Sequence, residues 1–448
     1  MARGLLGPKK MAPGSGGRPP EPPAILTDPV KLRVSRGFLL LLLACFTLQV
    51  RSPLRLNTDA STLLSMGESA AHGGGFLDDG QKTVFPPGYP ALLAILLTLD
   101  LAHPWVIVSL NLLFLAAGLL AVYFLLTRSF ATDQVAVLMV CSLSLLSWVI
   151  VKHATLPLTD TPFFFCSMGS IAIASQTANL HLNWRFAGLA GAAWLLAAMA
   201  ITLRRVGVAL VPPLIFMVVC NSHFKLLLRN TSRATKAIIL VAAAVVGVST
   251  MAIIAKTSTL SDFFGATRKT YFSALGLQIL SFRLIELGEL FDNLPMSKTP
   301  TKLHALVPWM GLLLFLLFVF GLARNAWKIG PAEVFMVCYT GILFAWPFHD
   351  ARFWLPVIPL LIAYSRIALI RLRITKSVIT IYCFIFVILG FGALAHSTRI
   401  TFAGCKFPEE YGNEYLKSTY RAAFPSCADH ADYDKVDAKA LRLLREYR

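Results

Sequence analysis

PWVIVSLNLLFLAAGLLAVYFLL, residues 104–126, decides the class of this chain. No charged side chain interrupts it. A helix of that length rises about 35 Å at 1.5 Å per residue, enough to cross the roughly 30 Å hydrocarbon core of a bilayer. Apolar runs of similar character recur along most of the 448 residues, of which 56% are hydrophobic and only 14% charged. The balance excludes an ordinary soluble domain. Working outward from 104–126, we expect about eleven transmembrane helices: 34–50, 104–126, 135–151, 162–178, 186–201, 206–219, 237–255, 305–322, 332–346, 353–370 and 378–395. The segment 88–101 is too short for a span and reads as a juxtamembrane helix, its Pro-rich start suited to a first helical turn. The fold class is therefore all-α and integral to a membrane.

A net charge of +18 would suit nucleic acid if it were clustered on a surface. Here the Lys and Arg residues fall in short segments between apolar runs, as the positive-inside rule requires, so no nucleic-acid partner is expected. With a cytosolic N-terminus and 88–101 outside the count, one face receives Arg128, Arg185, the cluster Lys225 to Lys236, Arg324, Lys328 and Arg366 to Lys376. The opposite face, periplasmic or luminal, receives the C-terminus. Residues 1–33 read as a disordered cytosolic leader, 34–396 as the membrane core with an outer loop at 51–103, and 397–448 as a short outer tail. Six cysteines lie within apolar runs and behave as small hydrophobes. Cys405 and Cys427 lie in the outer tail, where a disulfide is compatible with the compartment. The sequon at Asn230 falls on the cytosolic side. The host membrane is a bacterial inner membrane, or that of the endoplasmic reticulum in a eukaryote.

With that topology, polar residues from distant segments share the outer face. Asp59 follows the first span. Lys152 and His153 close the third, and Asp160 opens the fourth. Arg204 and Arg205 end the fifth, while His349, Asp350 and Arg352 lie between the ninth and tenth. Each has a structural reading as well. Asp59 suits a solvated loop, Asp160 an N-cap before Thr161–Pro162, and the arginine pair a snorkelling helix end, although arginines outside oppose the topological bias. Asp78–Asp79 before Gly80 reads as a turn.

Together these types suit glycosyl transfer from a lipid-linked donor. A polyprenyl phosphate or diphosphate leaves as an anion of low basicity, so it needs cations rather than a protonating acid. Arginine offers a planar, permanently charged fork to phosphate oxygens. The acceptor hydroxyl or amine needs one general base, which a carboxylate supplies. A glycosidase, by contrast, requires a second carboxyl as acid. Asp160, His349 and Asp350 are candidate ligands for a divalent cation (Mn, Mg or Zn), although no tight ligand spacing marks a site.

At these residues the chain resembles the GT-C superfamily of polytopic glycosyltransferases, and within it the protein O-mannosyltransferase and lipid A aminoarabinose transferase branch. The resemblance spans roughly residues 37–370. It rests on Asp59 after the first span, Pro86–Pro87–Gly88–Tyr89–Pro90 opening the juxtamembrane helix, Leu156 to Pro162, Arg204 or Arg205, and Arg352–Phe353–Trp354–Leu355–Pro356. It implies Asp59 as catalytic base and Asp160 as a second active-site acid. Arg204, Arg205 and Arg352 would face the lipid phosphate. His349, Lys152 and His153 are further substrate-binding candidates, from their place on the same face rather than from the resemblance. The partners implied are a polyprenyl-phosphate-linked sugar and an acceptor that is protein, lipid or glycan. The chain departs from the family in lacking a large C-terminal domain and an Asp-Glu pair near Asp59.

Two other readings compete. A transporter or flippase of lipid-linked saccharides carries charges within its spans, and these mid-span regions are nearly free of them. An O-antigen ligase or polymerase type of enzyme also gathers Arg and His outside, but has no need of an early carboxylate followed by a re-docking helix.

Overall fold

The computed structural model describes residues 28–51, 53–129, 133–178, 180–181, 183–221, 275–325, 329–411, 414–424 and 432–447. The expected span 237–255, the sequon at Asn230 and Cys427 of the expected disulfide lie outside the described residues. Apart from one short hairpin, the described regular structure is helical. The first helix, α1 (Pro29–Thr47), starts at Asp28, whose carboxylate accepts from Val30 N at 3.0 Å, with Pro29 in the first turn. Next come α2 (Thr58–Ala71), the hairpin of β1 (Leu77–Asp78) with β2 (Gln81–Lys82), α3 (Gly88–Thr98), α4 (Pro104–Ser129), α5 (Gln134–Leu145), α6 (Trp148–His153), α7 (Asp160–Thr177), α8 (Trp184–Leu203) and α9 (Val211–Cys220). Asp79 and Gly80 both take positive φ, at 46° and 79°, as a two-residue hairpin turn demands. Beyond the undescribed stretch lie α10 (Leu275–Asp292), α11 (Val307–Asn325), α12 (Pro331–Ala345), α13 (Ile358–Arg371) and α14 (Lys376–Thr401). A tail of three short helices, α15 (Phe407–Tyr411), α16 (Glu414–Ala423) and α17 (Ala438–Glu446), completes the described chain.

Among the described residues, five helical stretches are long and apolar enough to cross a membrane: Pro104–Arg128, Trp184–Leu203, Thr301–Asn325, Ala351–Arg371 and Lys376–Thr401. Gly88–Thr98, Gln134–Leu145, Arg205–Cys220 and Pro331–Ala345 are apolar but shorter. Leu113, Leu120, Trp309, Leu316, Phe384 and Ile388 lie exposed on these helices, an outer surface suited to lipid tails rather than water. Helix direction can be read from side-chain bonds. Asn111 near the start of α4 donates to the Leu156 carbonyl just before α7 at 2.6 Å, and Arg128 at its end donates to Gln176 at the end of α7 at 3.1 Å. The two helices therefore run parallel.

The expected single span 135–151 is instead two helices, α5 and α6, broken at Leu146–Ser147. The break persists because Asn293 satisfies its backbone: Trp148 N donates to Asn293 Oδ1 at 2.7 Å, and Asn293 Nδ2 donates to Leu146 O at 3.0 Å and to Phe386 O at 3.1 Å. Irregular backbone within a bundle survives only when its polar groups find such partners. Between the expected spans 237–255 and 305–322 lies α10, whose buried positions Ile279, Arg283, Glu286, Leu287 and Leu290 fall on one helical face.

Candidate functional site

Asp59 lies not in a loop but in the first turn of α2, where Asn57 caps the helix by accepting from Ala60 N at 2.7 Å. Its carboxylate is left to pair with Arg352 Nη2, 293 residues away. Arg352 also reaches back through Nε to Asp350 Oδ2 at 2.9 Å, while Asp350 Oδ1 accepts from Arg352 N at 3.0 Å and caps the 3₁₀ turn Ala351–Val357. One guanidinium thus bridges two carboxylates.

A second pair lies beside it. Asp160 is the first residue of α7, and no side-chain cap bond forms at that helix start, so the N-cap reading does not describe it. Its carboxylate, 2% exposed, takes a 2.5 Å contact from Arg204 Nη1 instead. Arg204 closes α8 in an extended conformation, and its guanidinium lies 5.2 Å from the Phe353 ring centroid and 5.8 Å from that of Phe163. The Arg352 guanidinium lies 5.5 Å from the same Phe353 ring. Both distances to Phe353 fall within the range where a cation is attracted to a ring face. Two arginines, Asp59, Asp160 and Asp350 therefore gather around Phe353.

Other expected residues fare differently. His153 is buried, and neither of its ring nitrogens has a hydrogen-bond partner among the described residues. Arg205 turns away from the cluster and donates to the Val84 carbonyl in the outer loop. Lys152 is exposed, with its ammonium 5.6 Å from the Trp148 ring. The His349 ring packs on Phe282 at 5.1 Å. Asp160, His349 and Asp350 do not form a ligand set: the two carboxylates hold arginines, and no group of three His, Cys, Asp or Glu is placed for a metal ion among the described residues.

The Pro-Pro-Gly-Tyr-Pro segment contributes through shape. Pro90 falls in the first turn of α3, as expected. A Cβ on Gly88 would come within 2.6 Å of the Thr202 carbonyl oxygen, so only glycine lets α3 dock against the end of α8 that carries Arg204. Tyr89, buried, reaches Asn111 at 3.4 Å.

Several residues that hold the site lie outside the motifs. Arg55, buried, donates from Nη1 to Ser397 Oγ at 2.8 Å and from Nη2 to Ser397 O at 2.9 Å and Thr401 Oγ1 at 2.8 Å. Tyr420 Oη accepts from Leu56 N at 2.7 Å and donates to Leu54 O at 2.8 Å. These bonds pin the linker into α2 to α14 and to the tail. Tyr447 donates to Leu64 O at 2.8 Å, and Lys439 and Arg442 pair with Asp78 and Asp79. Their only sequence signal was an Arg two residues before Asn57 and a tyrosine-rich tail.

No family model matches the chain, nor does any curated protein. Among solved structures it is similar to the archaeal oligosaccharyltransferase AglB from Archaeoglobus fulgidus, in complex with an inhibitory peptide and a dolichol-phosphate, at 12% identity and a TM-score of 0.47 over 92% of this chain. It is also similar to ArnT from Cupriavidus metallidurans in the apo state, at 15% identity and a TM-score of 0.48 over 92% of this chain and 76% of that one. ArnT bound to undecaprenyl phosphate gives 14% and 0.46, over 92% and 75%. The chain spans 60% of the length of AglB.

Proposed function

We propose that this chain is a membrane glycosyltransferase of the GT-C type, moving a sugar from a polyprenyl-phosphate or diphosphate donor to an acceptor at the outer face. The reaction is an inverting displacement with Asp59 as general base. One observation carries this reading: the bridge from Asp59 through Arg352 to Asp350, beside the Asp160–Arg204 pair on the same phenylalanine. A phosphate arriving at this end of the bundle competes for Arg352 and Arg204, whose forks match its oxygens. As Arg352 turns to the phosphate, the Asp59 carboxylate is released to take the acceptor's proton. The displaced polyprenyl phosphate leaves with its charge held by the two guanidiniums, so no protonating acid is required.

The test is sugar transfer from a polyprenyl-phosphate donor in nanodiscs. Asp59→Asn is nearly isosteric and should keep donor binding while turnover falls by about 10²–10⁴-fold, the usual contribution of a general base. Asp78→Asn is the control. Its partner Lys439 makes a partly exposed ion pair of the kind worth about 0–1 kcal/mol, so transfer should hold. Wild-type rates from Asp59→Asn would remove Asp59 as the base.

A further inference from the structure

The turn that carries Arg352 is held from below by a buried ion pair on α10. Arg283 and Glu286 are one helical turn apart, both fully buried, and joined Nη1 to Oε2 at 2.6 Å. Glu286 accepts from Asp350 N at 2.7 Å through Oε1 and from Trp354 Nε1 at 2.8 Å through Oε2. Arg283 Nη2 donates to the Phe348 carbonyl and to the Trp346 carbonyl at 3.4 Å. The pair therefore grips residues 346–354 at four points: the carbonyls of Trp346 and Phe348 ahead of Asp350, the Asp350 amide itself, and the Trp354 indole beyond it. Burying such a pair yields little net stability when both charges could be replaced by apolar groups, which turns attention to what geometry it fixes.

We propose that Arg283 and Glu286 are positioning residues that aim Arg352 at the donor phosphate, by fixing the turn on which Asp350 and Arg352 sit. They touch no substrate. The backbone of Asp350 is set by Glu286, the Asp350 carboxylate then accepts from Arg352 N at 3.0 Å and forms an ion pair with its guanidinium, and the remaining fork faces Asp59. Glu286→Gln keeps the shape but sets a neutral amide where Arg283, Asp350 N and Trp354 Nε1 all need an acceptor. Arg283→Lys keeps the charge but cannot span both carbonyls and the carboxylate. The role rests on the donor-binding reading above, so the test separates the two.

Hydrogen exchange across residues 346–354 is measured beside the affinity for polyprenyl phosphate in nanodiscs, with Arg283→Lys as the milder variant should Glu286→Gln fold poorly. In both variants exchange should rise in this turn, with α7 and α13 still protected. Affinity should fall about 10–100-fold, the range for losing a hydrogen bond to a charged group. Adding Arg352→Ala to either variant should cost little more, because the same contact is already misplaced. Unchanged exchange in both, or faster exchange with full affinity, would overturn the positioning role. A wild-type chain that binds no polyprenyl phosphate would instead overturn the functional reading, and exchange alone would then decide whether the pair holds the turn.

Discussion

Arg204 and Arg205 are neighbours in sequence and part in space. Arg204 takes an extended backbone at the end of α8, which swings its side chain to Asp160, while Arg205 begins the following 3₁₀ turn and reaches the Val84 carbonyl. A doublet at a helix end gives no hint which member faces inward, because the answer depends on where the helix stops. The two should therefore separate by mutation. Arg204→Ala leaves Asp160 buried without its cation and removes a fork from the proposed phosphate seat, so donor affinity should fall by about 2–5 kcal/mol. Arg204→Lys should recover only part of it. Arg205→Ala should leave donor affinity within about 0.5 kcal/mol, as for a surface change away from such features. Calorimetry with polyprenyl phosphate in nanodiscs distinguishes them, and equal losses would place both arginines at the phosphate. Asp160 stood out in sequence as an acid opening the expected fourth span. What the sequence could not show was that its carboxylate leaves the helix start uncapped to meet Arg204.

The element least legible in sequence is the break between α5 and α6. Residues 135–151 contain neither Pro nor Gly, so the apolar run looks continuous, and the residue that permits the break, Asn293, is 145 positions away. The helix α10 was hidden for a related reason: its buried face carries Arg283 and Glu286, so a reading based on apolar periodicity discounts it. The helix at Gly88–Thr98, by contrast, was plain from its length and prolines. Asn293 has φ of 58°, which Asn and Gly tolerate better than other residues. Asn293→Gly keeps that backbone and removes only the side chain, leaving Trp148 N and the Leu146 and Phe386 carbonyls short of a partner. Each orphaned buried group costs about 1–3 kcal/mol, so thermal unfolding in detergent should move down by several degrees. Asn293→Ala should fall further by about 1–2 kcal/mol of left-handed strain. A midpoint unchanged in the glycine variant would mean that water or a shifted helix supplies the lost bonds.

Across the whole molecule, the charge asymmetry read from sequence becomes a geometric one. The parallel α4 and α7 carry Asn111 and Asp160 at one end and Arg128 and Gln176 at the other. Arg366 near the end of α13 feels Asp133 at the start of α5, whereas Arg352, in the turn leading into α13, sits with Asp59 and Asp350. The acid–arginine pairs of the site thus collect at one end, while Arg128, Arg366 and Asp133 lie at the other. Under the positive-inside rule the Arg128 end would face the cytosol, and the site and the tail packed on α2 would face outward. That assignment is the proposed eleven-span topology, and it has a direct consequence for accessibility. A reporter inserted at Arg373, between α13 and α14, should read cytosolic. One fused after Arg448 should read external, because α14 starts near Arg373 and the tail beyond it docks beside Asp59 through Tyr420 and Tyr447. Placing both on one side would require α14 not to cross, against its 26 apolar-rich residues. A reversed result, with Arg373 external, would put the Asp59 cluster in the cytosol, where a base and an anion seat would have to serve a donor from the inner leaflet.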